Sequence, residues 1–308
     1  MHRFILTIPL PCDFAHWRTR LTQSGQQGAY RQADGRLGRA LRLAQGLRYV
    51  ELEPQAGSAQ CQVSIHGGSH AEEAETRQIL SHVLSLDTDL TEFYTHCRTT
   101  EPGMTPVIEG LAGARMIREA DTFTSVIDAM ISQQLNLAFA AELKRRLWSL
   151  CGEYLEVDGS VIYGDPTPEA IASLNNGQLR DMQYSGRKAE YIIGFARQVA
   201  SGAYSLEELR HMDDETAIAS LSAVRGIGRW TADCVLLFGL GRQDLLPAGD
   251  IGLLRSASRM WRLAERMGEP ALRERSAPWS PWRSWYTYYL WLYDGSWSAS
   301  RTEAEHGR

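Results

Sequence analysis

The sequence predicts an α+β protein: a small N-terminal antiparallel sheet domain with helices, then an all-α domain. Three observations carry this. Short β-rich runs cluster near the N-terminus, helical spacing takes over from Ala71, and beyond the Thr99–Thr105 connector helix signals follow one another to residue 294 almost without strand patterns. In order, Phe4–Ile8, Gly38–Leu43, Leu47–Leu52 and Cys61–Ile65 alternate or concentrate β formers between Gly, Gln, Asp and Pro, and read as strands. Ala71–Leu86 places Ile79, Val83 and Leu86 at helical spacing, and Leu90–Cys97 reads as a second short helix. Past Pro102, Gly103 and Pro106, Asp121 or Thr122 caps a helix through Gln134, and Asn136 starts the next, ending near Cys151-Gly152. Thr167-Pro168 sets a cap before a proline at the first helical position, and Ser205 to Glu208 has capping-box spacing. Gly186–Ala200 carries Tyr191, Phe195 and Val199 on one stripe and stops at Gly202. The expected domains are 1–103 and 104–298, with a polar tail at 299–308.

Composition sets the bounds. A length of 308 residues suggests two domains, and 44% hydrophobic with 22% charged residues is ordinary for a globular chain. No run reaches the roughly 18 apolar residues that span a bilayer, and Phe4–Ile8 is too short, and too soon broken by Pro9 and Pro11, for a signal peptide. Cys12, Cys61, Cys97, Cys151 and Cys234 are too widely and irregularly spaced for a disulfide framework, a zinc ribbon or an iron-sulfur loop, so a reducing cytoplasm is the expected compartment. The net charge of -5 excludes a polybasic nucleic-acid binder, yet residues 1–50 hold eight Arg against two Asp. That unevenness is compatible with an anionic partner on one face, although solvated surface charge is the commoner origin of any single Arg. Lysine is scarce: only Lys144 and Lys188 occur.

The most specific feature is Leu221-Ser-Ala-Val224-Arg225-Gly226-Ile227-Gly228-Arg229-Trp230-Thr231-Ala232. A helix (214–223) runs into Gly-Ile-Gly and another (229–240) leaves it. Two glycines one residue apart permit positive φ and close backbone approach, so amides at the start of the second helix can face a phosphate, while Ile227 packs between the helices. A phosphate-binding loop would need a preceding strand and a third glycine where Thr231 stands. A purely structural helix-to-helix turn uses the same glycines.

The surroundings separate these readings. From Leu221 to Asp250 the chain resembles the helix-hairpin-helix and Gly/Pro-Asp signature of the DNA base-excision glycosylase superfamily, and within it the bacterial 3-methyladenine DNA glycosylase II (AlkA) type. The resemblance spans residues 120–297 and includes Ile131-Ser132-Gln133-Gln134, Gly186-Arg187-Lys188-Ala189-Glu190-Tyr191, Leu246-Pro247-Ala248-Gly249-Asp250, and Pro281-Trp282-Arg283-Ser284 with Tyr289-Leu290-Trp291. It implies that Asp250, twenty residues after the hairpin Trp230, is the essential acid. A carboxylate below the deoxyribose stabilises the cationic sugar of the transition state and can orient the attacking water. On its own spacing, Asp250 equally fits a cap of the helix Ile251 to Arg262, and both roles can coexist.

The resemblance implies further roles. Superfamily members that also cut the backbone carry a Schiff-base lysine where this chain has Trp230, so the expected enzyme is a monofunctional hydrolase, with a bifunctional glycosylase/lyase or a non-catalytic lesion-binding hairpin as alternatives. No redox cofactor or catalytic metal is implied. A monovalent cation could rest on hairpin carbonyls near Leu221, Val224 and Gly226. Trp230 and Trp291 match pocket tryptophans, suited to cationic N-alkylated purines through cation-π attraction, and Cys234 replaces a pocket tyrosine. Trp282, Trp285, Tyr286, Tyr289 and Tyr293 repeat at helical spacing and read as core, with Trp291 nearly opposite Trp282. Gln134 matches the side chain that fills the gap left by a flipped base, or is simply a polar helix end before Asn136. Gly226, Ile227, Gly228, Arg229 and Thr231 form the expected DNA-binding hairpin; Arg187, Lys188 and Arg225 are plausible phosphate neighbours. The expected partner is damaged double-stranded DNA, met by a monomer.

Overall fold

The computed structural model describes residues 1–23, 30–55 and 58–293. Five antiparallel strands, β1 (His2–Thr7), β2 (Tyr30–Ala33), β3 (Arg36–Leu43), β4 (Gly46–Pro54) and β5 (Gln60–His66), form one sheet in the order β1-β5-β4-β3-β2. Alternation places Phe4, Leu6, Leu41, Val50, Leu52, Val63 and Ile65 in one core with Trp17 and Leu21 of helix α1 (Phe14–Gln23) and Leu80 and Val83 of α2 (Glu73–Val83). All four expected strands are present; α1 and β2 were not anticipated. Helix α2 is shorter than its sequence pattern because its start is a 3-10 turn, and Ser85, at φ 51, breaks the chain away after it.

The helical core begins earlier than the Thr99–Thr105 connector. Leu90, Phe93, Tyr94 and Cys97 of α3 (Leu90–Thr100) pack in it, Phe93 lying against Trp285, Tyr286 and Tyr289 of the last described helix. Helices α4 (Thr105–Gly110), α5 (Thr122–Ser132) and α6 (Leu137–Cys151) follow. The Asp121, Asn136 and Thr167 side chains cap their helices as expected, accepting from Thr124, Phe139 and Ala170 amides. Helix α5 stops two residues before Gln134, because Gln133 is extended and Gln134 turns left-handed at φ 57.

Next comes a two-stranded hairpin in the otherwise helical domain, β6 (Tyr154–Val157) and β7 (Ser160–Tyr163). Its Ile162 packs with Ala40 and Tyr49 of the first domain's sheet. The Arg excess of residues 1–50 is largely spent on pairs within the chain. Arg31, Arg39 and Arg42 reach Asp158, Asp165 and Glu153 around this hairpin, while Arg36 and Arg48 pair with Glu51 and Glu72. Arg115 ties the domains further, its buried guanidinium donating to the carbonyls of Ser85, Thr88 and Pro9. The remaining helices are α7 (Pro168–Ala172), α8 (Asn176–Asp181), α9 (Gly186–Ala200), α10 (Asp214–Ser222), α11 (Arg229–Gly239), α12 (Ile251–Met260), α13 (Glu269–Arg275) and α14 (283–293). The expected tail, 299–308, lies outside the described residues. Among the described residues no helix is long and apolar enough to cross a membrane.

Candidate active site

Helices α10 and α11 enclose the Gly-Ile-Gly turn, with Ile227 buried between them. The two glycines differ in what they answer to. Gly226 has φ 93, and a Cβ there would lie 2.5 Å from the Tyr191 ring, so the fold itself demands glycine. Gly228 has φ -97, open to any residue, and an added Cβ would meet nothing within 4 Å. It is the N-cap of α11 and offers no side-chain cap, so first-turn amides point outward at the positive end of the helix dipole.

Helix α11 carries Trp230, Cys234 and Phe238 on one face, four residues apart. After α11 the chain runs through buried Leu245, Leu246 and Ala248 and turns, the Asp250 amide donating to the Pro247 carbonyl at 2.9 Å. This turn sets Asp250 as the N-cap of α12, where its Oδ1 accepts from the Leu253 amide at 2.6 Å. Two indoles converge on the same carboxylate. Trp230 Nε1 donates to Oδ2 at 3.1 Å, and Trp291 Nε1, arriving from α14, donates to Oδ1 at 2.9 Å. Trp291 is braced from behind by Phe238, the rings stacked at 5.9 Å and 16°. A carboxylate has about four acceptor sites, so three donors fix its plane and leave a free lone pair on Oδ2. Among the described residues no ion pair reaches Asp250.

The structure thus joins Asp250, Trp230 and Trp291 across residues 230–291, while Trp285, Tyr286 and Tyr289 are buried core as expected. Cys234 is buried one turn beyond Trp230; burial, then the nearby Asp250, Asp233 and Asp128 charges, pushes its thiol well above the usual range. The hairpin residues separate. Thr231 is buried, and its hydroxyl accepts from Gln133 Nε2 at 2.8 Å, so its side chain is packing rather than surface. Arg229 forks onto Glu215 and also reaches Asp233, and Arg225 pairs with Glu190 over the Tyr191 ring. Lys188 donates to the carbonyls of Ile131 and Gln133, and Arg187 is exposed. Gln134 is exposed at the left-handed turn after α5.

The Val224 and Gly226 carbonyls each accept one internal hydrogen bond, from Ile227 and Gln133 respectively, which leaves each a second lone pair, whereas the Leu221 carbonyl accepts from both Ala223 and Val224. Among the described residues one cluster of side chains could hold a metal ion, His2, His70 and Glu73 in the first domain; there Glu73 already accepts from His2 and Arg77. Sequence reasoning missed Phe238 and the bridging role of Gln133; for Phe238 the signal was its i+8 spacing from Trp230.

A family model, the HhH-GPD superfamily base excision DNA repair protein, matches residues 127–281, the stretch that contains the second half of α5, the hairpin and Asp250. The chain belongs to this superfamily. Among its relatives, YfjP of Bacillus subtilis (strain 168) is 34% identical over 253 residues, covering 79% of this chain and 86% of that one. A DNA-3-methyladenine glycosylase of the same strain is 34% identical over 206 residues, 67% of this chain and 68% of its own. Among solved structures, a 3-methyladenine DNA-glycosylase from Archaeoglobus fulgidus superposes with a TM-score of 0.86 at 25% identity, over 96% of this chain and 99% of that one. As an HhH-GPD protein the chain is an N-glycosyl hydrolase of DNA repair, and DNA is its partner.

Proposed function

We propose that this DNA glycosylase is a monofunctional enzyme that flips alkylated purines of the 3-methyladenine and 7-methylguanine type from duplex DNA and releases them hydrolytically through Asp250. The observation that carries the reading is the Asp250 carboxylate, gripped by Trp230 and Trp291 at 3.1 and 2.9 Å. As the glycosidic bond lengthens, positive charge grows on the deoxyribose, and a fixed anion with a free lone pair attracts that charge and orients water towards C1′. The indoles present electron-rich faces for a cationic base, and the positive charge of the alkylated purine already weakens the bond to be cut. Cys234, smaller than an aromatic side chain, enlarges the pocket. Products are a free base and an abasic site, and no cofactor takes part.

The hairpin docks a phosphate on the amides around Gly228, where the fold leaves room that no internal contact requires. Ile227 supports the turn, Gly226 admits Tyr191 behind it, and Arg229 stays engaged with its acids until DNA competes. Gln134 enters the gap left by the flipped base. The helical domain, 104–298, carries the chemistry, and the protein works as a cytoplasmic monomer. Lysine chemistry has no support at the hairpin. Burial alone would lower the Lys144 amine, but Asp128 and Glu119 raise it above its ordinary value, and Lys188 is committed to carbonyls. Chromatography of bases released from methylated DNA tests the reading: wild type yields free alkylpurines and Asp250→Asn does not. Borohydride trapping of a protein-DNA adduct would establish the lyase instead.

A further inference from the structure

Leu137, the first residue of α6, is 82% exposed, whereas Leu135 and Phe139 on either side pack against the helical core. A lone exposed leucine is ordinary, but the setting of this one is not. It stands at the end of the turn joining α5 to α6, and that turn is fastened to the hairpin. Gln133 Nε2 donates to the Gly226 carbonyl and the Thr231 hydroxyl, both at 2.8 Å. Lys188 Nζ donates to the carbonyls of Ile131 and Gln133 at 2.5 and 3.0 Å, and Asn136 closes the start of α6 by accepting from the Phe139 amide. The backbone is thus pinned on both sides of two outward side chains, Gln134 at φ 57 and Leu137.

We infer that Leu137 is a second wedge, inserting between base steps of the duplex beside the position Gln134 fills; this rests on the glycosylase reading above. The two side chains divide the work. A glutamine offers a donor and an acceptor to an orphaned base, while a leucine makes no hydrogen-bond demand and replaces lost stacking with apolar contact. Because the turn is already ordered by Gln133 and Lys188, insertion costs little further conformational entropy. Leu137 is 82% exposed and takes no part in the buried helical core, so its truncation leaves the fold intact.

The test uses duplex DNA with one 7-methylguanine and a neighbouring 2-aminopurine whose fluorescence reports unstacking. Leu137→Ala should reduce the fluorescence rise on binding and slow base release by about tenfold, corresponding to about 1.4 kcal/mol. Its melting temperature should match wild type, and Leu137→Met should restore both signals. The deficit should shrink when the lesion sits in a mispair that is already open. Wild-type fluorescence and release by Leu137→Ala would overturn the assignment. A wild type that releases no base from this duplex would remove the glycosylase reading, and this one with it.

Discussion

Two groups of carboxylates in the helical domain are held in opposite ways. At the seam between domains, the buried Lys144 amine sits 3.1 Å from both Glu119 and Asp128, and Asp165 takes Arg39 at 2.6 Å and the Trp148 N–H at 3.0 Å. These acids are neutralised by cations. Asp250 instead is held by three neutral N–H groups. A fixed cation would cancel the field that a carboxylate exerts on a developing sugar cation, whereas neutral donors orient it and leave its charge unspent. The contrast separates a charge built for cohesion from one built for chemistry.

The sharpest way to break this contrast is to remove the cation at the seam. Lys144→Met should destabilise the protein by roughly 3–5 kcal/mol, because the buried Glu119 and the half-buried Asp128 both lose the ammonium that lies 3.1 Å from each. Urea unfolding measures the loss, and base release per folded molecule should stay near wild type. Next in size is Asp250→Asn. The amide keeps the shape and an oxygen for the Leu253 cap but loses the charge, so release should fall by about 10²–10³-fold with a nearly unchanged unfolding midpoint. Equal losses of activity and stability in that variant would mean that Asp250 is a cap and nothing more.

A third arrangement, that of Asp233, lies between these extremes. Asp233 is buried and answered by a single, half-exposed Arg229; burial raises its pKa to about 6 despite that partner. Its folded pKa lies above the unfolded value, so the stability it contributes is full below about pH 4 and is lost as pH rises through about 6. Asp233→Asn should flatten that part of the stability curve by roughly 1–3 kcal/mol, read from urea midpoints at about pH 4 and pH 7. If the wild type instead gains stability over that interval, Arg229 outweighs the burial.

How much of this could be read beforehand follows from the range of the interaction. Asp121, Asn136 and Thr167 announce helices because a cap acts within three residues, and the 282–293 aromatics announce a core face through local period. Asp250 was found by its spacing from Trp230 and by family resemblance, since its cap pattern alone says nothing of indoles. The β6–β7 hairpin was missed because its strands are four residues each and bury only Ile162, whose cover is supplied by Ala40 and Tyr49 from another domain. The pairing of Arg39 with Asp165, 126 residues apart, and the turning inward of Thr231 towards Gln133 are likewise products of tertiary packing that no local pattern encodes.

The smallest expected effect separates the two indoles. Phenylalanine keeps an aromatic face for a cationic base but removes the N–H, so each Trp→Phe change tests the grip on Asp250 more than the pocket wall. Oδ1 retains the Leu253 amide after Trp291→Phe, because both donors share that oxygen. Oδ2 has the Trp230 N–H at 3.1 Å, and in Trp230→Phe it loses that donor while Oδ1 keeps two. The plane of the carboxylate is then set through Oδ1 alone, and Oδ2, the oxygen with the free lone pair, is held less firmly in the geometry that orients water. Trp230→Phe should slow base release by about tenfold and Trp291→Phe by about threefold, a donor to a charged group being worth roughly 1.5–3 kcal/mol before water replaces it. Single-turnover release from 7-methylguanine duplex measures both. The reverse order would mean that the Phe238-backed Trp291 ring matters more as a stacking wall than Trp230 does as a donor.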